Sequence, residues 1–221
     1  MARTALVAGA TGLVGGHLLR LLLDDPAYDK VTALVRRALD VTHPKLTCAA
    51  IDFDRAGDYA AHARADDVFS CLGTTIKKAG SQEAFRKVDF EYPLALARAA
   101  SAAGAGQYLI VTAVGADAKS GVFYNRVKGE VEAALRAHAF PRGLKIFHPS
   151  VLLGERGESR PGERVAAALM SATRGLFVGA LQRYRAIDAE GVARAMRNGA
   201  RLDASGVEIY EGARLFELAA R

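Results

Sequence analysis

The feature that most constrains this chain is a glycine-rich turn near the N-terminus. The apolar segment Thr4–Ala8 runs directly into GATGLVG, and an amphipathic segment follows. In a strand–turn–helix unit of this kind, Gly9 permits a tight turn, Gly12 lets backbone N–H groups approach a pyrophosphate, and Gly15 allows the helix to pack closely on the strand. The turn therefore predicts a dinucleotide-binding unit, with a close-packed turn that binds no ligand as the alternative.

The rest of the chain alternates short apolar segments with longer segments of helical periodicity. The short segments are apolar at successive positions, which indicates strands covered on both faces by helices. Strands are predicted at Thr4–Ala8, Val31–Val35, Leu46–Ile51, Val68–Cys71, Tyr108–Thr112, Leu144–Phe147 and Glu208–Tyr210. Helices are predicted at Gly12–Asp24, Phe90–Ala103, Phe123–His138, Arg164–Ser171, Ala189–Gly199 and Gly212–Ala220. This order is typical of an α/β fold with a single, doubly wound parallel sheet and a small C-terminal extension.

Length and composition favour one folded domain. The chain has 221 residues, of which 51% are hydrophobic and 24% charged. That balance is typical of a globular protein with a sizeable core and excludes a disordered chain. No linker or repeat divides the sequence, so we predict one domain over residues 1–221, with small substrate-side elements within about 150–221.

The net charge indicates which kinds of ligand the protein can attract. Thirty Lys and Arg residues against 24 Asp and Glu residues give a formal charge of +6, which attracts anions. The cations are spread along the chain with no block of like charges. This spread argues against a nucleic-acid partner and leaves an anionic cofactor, or a charge excess with no specific partner, as the alternatives.

Cysteine and histidine usage bears on metals and on the compartment. Cys48 and Cys71 are the only cysteines, too few for a disulfide framework or a structural zinc site, and the histidines have no metal-ligand spacing. The N-terminal residues show no charged leader, and the apolar segment Leu13–Leu23 is too short and too interrupted to span a membrane. We therefore expect a cytoplasmic protein with no bound metal and no membrane span.

Two arginines bear on the choice of cofactor. The second predicted strand ends in Val35-Arg36-Arg37, where a protein that prefers NAD usually places an Asp or Glu to bind the ribose 2′-hydroxyl. Two guanidinium groups suit a 2′-phosphate, which arginine binds with paired hydrogen bonds. NADP(H) is therefore favoured over NAD(H), with two solvated surface charges as the alternative.

A tyrosine and a lysine stand four residues apart in the predicted helix Phe123–His138. This spacing places Tyr124 and Lys128 on one helical face. A nearby ammonium favours the phenolate, so it lowers the pKa of a tyrosine and makes it a usable general acid or base near neutral pH. The alternative is an exposed pair on an amphipathic helix.

Several motifs together resemble a known family. GATGLVG, the strand end VRR, CLGTT, YNRVKGEVE and HPSVLLGERGESRPGE are similar to the atypical short-chain dehydrogenase/reductases. Within these, the chain resembles the oxidoreductase-type Tat-interacting-protein group and its bacterial relatives, from about residue 4 to residue 200. The resemblance implies a Rossmann fold, NADPH as the ligand, a mostly cytoplasmic protein, and a monomer or a homodimer.

The resemblance also implies roles for individual residues. Tyr124 donates a proton to a carbonyl, and Lys128 binds the nicotinamide ribose and lowers the pKa of the tyrosine. The pyrophosphate is held by Gly9, Thr11, Gly12, Leu13 and Val14, the 2′-phosphate by Arg36 and Arg37, the adenine by Asp52 and Phe53, the far ribose by Cys71, Leu72 and Gly73, and the nicotinamide amide by Pro149, Ser150 and Val151. From its own chemistry, Cys71 is interpreted as a small buried apolar residue and not as a nucleophile.

One position departs from the family pattern. Relatives commonly have two serines at the end of the fifth strand, where this chain has Thr112 and Ala113. Thr112 is the candidate for the hydroxyl that binds the substrate carbonyl, although adjacent strand residues point to opposite faces. His148 follows the sixth strand, as a cofactor-side residue or as a histidine satisfied by structural hydrogen bonds.

Two functions from different classes follow from these features. The first is an oxidoreductase that moves hydride between a nicotinamide and a carbonyl or alcohol, which the Tyr124/Lys128 pair favours. The second is an NADPH-binding sensor or scaffold with little or no turnover, which Ala113 favours. The charged loop Gly154–Glu163 is expected either to form a lid over the substrate or to be a solvated surface loop.

Overall fold

The computed structural model describes residues 2–150, 152–153, 183 and 185–221. At its centre is a seven-stranded sheet in which every neighbouring pair of strands is parallel. Across the sheet, the strands are β3 (Leu46–Ala50), β2 (Tyr28–Val35), β1 (Arg3–Ala8), β4 (Asp67–Ser70), β5 (Gln107–Val111), β6 (Leu144–His148) and β9 (Val207–Glu211). Two short strands, β7 (Leu152–Leu153) and β8 (Ile187–Asp188), pair separately. All seven predicted strands are confirmed, and β2 begins at Tyr28, ahead of the predicted Val31.

The strand order places a crossover beside the first strand. The chain fills one side of β1 with β2 and β3 and then crosses to the other side for β4, β5 and β6. In such a sheet, the connections leaving β1 and β4 diverge, and a crevice opens at their carboxyl ends. This topology confirms the predicted doubly wound, Rossmann-type fold.

Helices complete the architecture. They are α1 (Leu13–Asp24), α2 (Ala56–Ala60), α3 (Ile76–Ala79), α4 (Gln82–Arg86), a π-helix (Lys87–Glu91), α5 (Tyr92–Ala102), α6 (Phe123–Leu135), α7 (Ala189–Gly199) and α8 (Gly212–Ala220). The last two have the predicted bounds, whereas α5 begins after the predicted Phe90 because the π-helix precedes it. The sequence pattern missed α2, α3 and α4, and the predicted helix Arg164–Ser171 lies outside the described residues. In the part of the chain that the structure describes, no helix combines the length and the apolar character needed to cross a membrane.

Successive strand residues enter two different cores. On β1, Ala5 and Val7 belong to the core under α1, α7 and α8, whereas Leu6 and Ala8 belong to the core under α5 and α6. Helices therefore cover both faces of the sheet. This arrangement explains why the strand segments are apolar at every position instead of at alternate ones.

A buried polar cluster closes the amino edge of the sheet. The Asp67 carboxylate accepts hydrogen bonds from Tyr28 at 2.6 Å, Gln107 at 2.7 Å and Arg142 at 2.8 Å. Burial lowers the pKa of Lys145 to about 8. Its ammonium donates to Gln107, to the carbonyl of Gly199 at the end of α7 and to the carbonyl of Leu202 just beyond it. The charged groups of this cluster hold the strands together at the edge of the sheet opposite the crevice.

Candidate active site

A cleft of about 640 Å³ lies at the carboxyl ends of the central strands. Many of the predicted site residues line it together. They are Thr11, Gly12, Leu13, Val14, Cys71, Leu72, Gly73, Thr112, Tyr124 and Lys128. The glycine-rich turn and the Tyr124/Lys128 pair, which are far apart in the sequence, therefore share one cleft.

The glycine-rich turn is held too tightly for side chains at two positions. Gly9 has φ +89°, and a Cβ there would lie 2.5 Å from the carbonyl of Cys71. A Cβ on Gly15 would lie 2.1 Å from the carbonyl oxygen of Gly9. The N-cap of α1 is Gly12, in an extended conformation, so the first-turn N–H groups face the cleft without a covering side chain. Free N–H groups at a helix N-terminus fit the pyrophosphate of a dinucleotide.

Lys128 forms a buried ion pair that the sequence analysis did not anticipate. Its Nζ lies 2.7 Å from Oδ1 of Asp89, and the two side chains are 6% and 0% exposed. Oδ2 of Asp89 accepts from the backbone N–H of Thr74 at 2.9 Å. The pair thus joins the loop after β4 to α6. The only sequence clue was an acidic residue between Val88 and Phe90.

Tyr124 lies on the first turn of α6 and is half-buried. Its ring centroid is 5.7 Å from that of Phe85 and 5.9 Å from Nζ of Lys128. The spacing of four residues therefore brings the two side chains close together, as predicted. However, the ammonium is directly paired with Asp89 and not with the phenol.

Cys71 has the chemistry of a packed apolar residue. Its Sγ lies 3.8 Å from Sδ of Met196, and burial raises the pKa of the thiol to about 12. A thiol with such a pKa is protonated at neutral pH and is therefore a poor nucleophile. This supports the interpretation made from the sequence.

A chain of hydrogen bonds runs behind the cleft from Thr112. The Thr112 hydroxyl donates to Oε1 of Glu132 at 2.5 Å, and Nε2 of His148 lies 2.8 Å from the same oxygen. Nδ1 of His148 lies 3.1 Å from Oε2 of Glu211. Burial opposes the charged imidazolium, but the hydrogen bonds and charges of the two carboxylates raise the pKa of His148 above its usual value. His148 is thus satisfied by two acidic partners.

This raised pKa predicts a pH-dependent contribution to stability. The stabilisation is complete below the unfolded pKa of about 6.5. It is lost as pH rises through the folded pKa, at about 1.4 kcal/mol for each pH unit between the two pKa values. In H148R the charge persists at all accessible pH values. We therefore expect the free energy of unfolding of the parent protein to fall relative to that of H148R between pH 6 and pH 9. Free energies of unfolding are measured by denaturant titration at each pH. A constant difference between the parent protein and H148R across this range would contradict the expectation.

The residues expected around the adenosine lie outside the lining of this cleft. Arg36 and Arg37 are exposed directly after β2, and Asp52 follows β3 at the same edge of the sheet. Phe53 is buried against Tyr59 with an edge-to-face contact of 5.8 Å and lines a separate cavity of about 140 Å³. The structure therefore places these four residues along the sheet edge, beyond the glycine-rich turn.

The segment after β6 is only partly described. The carbonyl of Pro149 accepts from the N–H of Val114 at 3.0 Å, and the Ser150 hydroxyl donates to the carbonyl of Arg185 at 2.5 Å. Val151 and the loop Gly154–Glu163 lie outside the described residues. No group of three or more potential metal ligands occurs among the residues whose placement is described.

The sheet, its switch-point cleft and the open glycine turn define a dinucleotide-binding protein of Rossmann type. The chain belongs to the NAD(P)H-binding family, whose model matches residues 9–141. Protein HTATIP2 of Rattus norvegicus is 39% identical over 168 residues, which cover 74% of this chain and 69% of that protein. Protein fmp52, mitochondrial, of Aspergillus clavatus is 35% identical over 219 residues, 96% of this chain and 90% of that protein. These relatives confirm the resemblance seen in the motifs.

Solved structures agree on the fold. A UDP-N-acetylglucosamine 4-epimerase from Methanobrevibacter ruminantium superposes with a TM-score of 0.70 at 19% identity, over 98% of this chain and 80% of that one. The human epimerase family protein SDR39U1, solved with NADPH, gives a TM-score of 0.63 at 20% identity, over 93% and 73%. At such identities the likeness concerns the fold alone.

The expected cytoplasmic location is wrong on these comparisons. Several relatives are named mitochondrial, including fmp52 of Emericella nidulans, 38% identical over 173 residues, 75% of this chain and 73% of that protein. The FMP52 proteins of Scheffersomyces stipitis and Eremothecium gossypii carry the same word in their names. The names point away from a purely cytoplasmic protein. The expectation failed because a low cysteine count indicates that disulfides are not needed but does not distinguish between compartments.

Proposed function

We propose that this protein is an NADP(H)-dependent oxidoreductase that acts on a carbonyl or alcohol substrate. The observation that carries the proposal is that Tyr124 and Lys128 line the same cleft as the glycine-rich turn. A bound nicotinamide cofactor supplies or receives the hydride. The tasks of the chain are then to hold the cofactor, to orient the substrate and to move one proton.

Tyr124 moves that proton in the proposed reaction. Its phenol donates to the carbonyl oxygen during reduction and takes a proton from the hydroxyl during oxidation. The contact with Phe85 holds the ring in place. Lys128, on the next turn of α6, offers its remaining ammonium protons to the ribose hydroxyls of the cofactor.

Thr112 is proposed to orient the substrate. Thr112 lines the cleft, and because its proton is donated to Glu132, its oxygen has only lone pairs left to offer a substrate. A lone pair accepts a hydrogen bond from an alcohol, whereas a carbonyl needs a donor. This arrangement supports alcohol binding more directly than carbonyl binding.

The preference for NADP(H) is proposed from Arg36 and Arg37. Both are exposed and form no ion pair with a described residue, so both guanidinium groups are available to a 2′-phosphate. A charge-assisted pair of hydrogen bonds to phosphate corresponds to a change in affinity of about 10- to 100-fold. We expect NADPH to bind more tightly than NADH, and R36D to lose that preference, in fluorescence titrations. Equal affinities for the two cofactors in the parent protein would exclude the 2′-phosphate site.

A second function, an NADPH-binding sensor or scaffold, is favoured by the end of β5. Ala113 has no hydroxyl, and the Thr112 proton is donated to Glu132, so neither side chain offers a hydroxyl proton to a carbonyl. The two functions differ in turnover. We expect the parent protein to oxidise NADPH with at least one member of a panel of aldehydes and ketones. Tight NADPH binding with no turnover in either direction supports the sensor instead.

A further inference from the structure

We propose that Asp89 acts through Lys128 as a positioning residue that offsets the positive charge which Lys128 presents to the phenol of Tyr124. The inference rests on the proposed function, in which Tyr124 is the acid and base. It goes further because it assigns a role to a carboxylate that no motif contained.

The geometry of the Asp89–Lys128 pair is the first support. The two charges are 2.7 Å apart and almost fully buried, and Asp89 is further fixed by the N–H of Thr74. A lone ammonium near a phenol stabilises phenolate. When a carboxylate is paired with that ammonium, the phenol sees a dipole instead of a full positive charge, so the stabilisation is much reduced.

The charge inventory of the cleft is the second support. Among the described residues that line the cleft, Asp89 is the only carboxylate. Besides Tyr124 itself, the other charged or titratable side chains are Lys128, Arg20, Lys78, His17 and Cys71. The cationic side chains Lys128, Arg20 and Lys78 favour phenolate. Asp89 is therefore the one described group in the lining that opposes ionisation of Tyr124.

Charges on the neighbouring elements have other partners or lie outside the lining. Arg86 of α4 pairs with Glu130 of α6. Lys87 pairs with Asp54 at 2.8 Å, and both side chains are about half exposed, so solvent screens them. These pairs do not replace the buried carboxylate beside Lys128.

The position of Asp89 also explains how the pair is held. Asp89 lies in the π-helix between α4 and α5, and π-helical turns often occur at functional sites. A Cβ on Gly73 would lie 3.5 Å from Oδ1 of Asp89 and 3.9 Å from Nζ of Lys128. The pair therefore lies directly under the loop after β4, where a bound cofactor would pass.

The test is a titration of the Tyr124 phenol and needs no substrate. Tyrosinate absorbance is recorded against pH for each variant and again in the Y124F background, and the difference isolates Tyr124. Burial raises the pKa of Tyr28, Tyr59 and Tyr108, so these phenols ionise at higher pH. In D89N we expect the midpoint of the Tyr124 titration to move to lower pH by about 1 unit, because one buried negative charge nearby has been removed.

A double-mutant cycle separates charge from structure. K128M leaves the carboxylate without its cation and should move the Tyr124 titration to higher pH. The combination D89N/K128M removes both charges and should return the titration close to that of the parent. A purely structural role for Asp89 would not give shifts of opposite sign that cancel.

The matched control is D54N, the same substitution in an Asp–Lys pair outside the cleft lining, and it should leave the Tyr124 titration unchanged. A Tyr124 titration in D89N at the parent position or at higher pH overturns the inference, even if the protein turns over carbonyls. Conversely, a shifted titration in a protein without turnover sustains the role of Asp89 and removes the proposed function.

Discussion

Replacing Tyr124 with phenylalanine is expected to reduce carbonyl reduction by about 10²- to 10⁴-fold, the usual contribution of a positioned general acid. Phenylalanine keeps the ring and its contact with Phe85, so the substitution removes only the hydroxyl. In the proposed function, the glycine-rich turn and the two arginines hold most of the cofactor. Its dissociation constant should therefore change by no more than a few-fold while kcat falls.

A second Tyr-to-Phe substitution provides the control for this prediction. Tyr210 on β9 is buried against Phe147, with ring centroids 5.0 Å apart, and lies outside the cleft lining. Y210F should have the turnover of the parent protein. Steady-state oxidation of NADPH with the best carbonyl substrate measures both variants. If Y124F is as active as Y210F, Tyr124 is not the acid, and the proton comes from another group.

The sequence was sufficient to predict the sheet because each strand is encoded by a short local pattern of apolar residues. A strand buried on both faces must be apolar at every position, and all seven such segments form the strands of the main sheet. The glycine-rich turn and the four-residue spacing of Tyr124 and Lys128 are also local patterns. The fold then brings these patterns together at the carboxyl edge of a doubly wound sheet.

The contacts that determine the charge state of the site are not local. Asp89 and Lys128 are on separate helical segments, and Glu132, His148 and Glu211 come from α6, β6 and β9. No periodicity or spacing relates residues that meet only through tertiary packing. The sequence therefore identified Lys128 as a cation beside Tyr124 but not the carboxylate that pairs with it.

Two adjacent glycines of α1 offer a sharp test of the turn itself. A methyl group on Gly15 would lie 2.1 Å from the carbonyl oxygen of Gly9 and 2.7 Å from its carbonyl carbon. Both atoms belong to the backbone, so the overlap can be relieved only by moving the helix or the turn. We expect G15A to lower the free energy of unfolding by about 3 kcal/mol or more.

G15A should also abolish tight NADPH binding. Any movement that relieves the overlap displaces the Gly9 turn or the first-turn N–H groups of α1, and these groups form the proposed pyrophosphate site. Urea titrations measure the loss of stability, and fluorescence titrations with NADPH measure the loss of affinity. The NADPH affinities of G15A and the parent protein are compared without urea, at a temperature where G15A is still folded. Unfolding is then not mistaken for weak binding.

The neighbouring substitution G16A separates this packing effect from a general effect of alanine. A methyl group on Gly16 would meet only the carbonyl oxygen of Ala10, at 3.5 Å, an ordinary van der Waals distance. Because alanine is the better helix former, G16A should raise the free energy of unfolding by about 0.5–1 kcal/mol. The two variants differ by one position and should change stability in opposite directions. Equal effects would mean that the close approach of α1 to the Gly9 turn does not determine stability or cofactor binding.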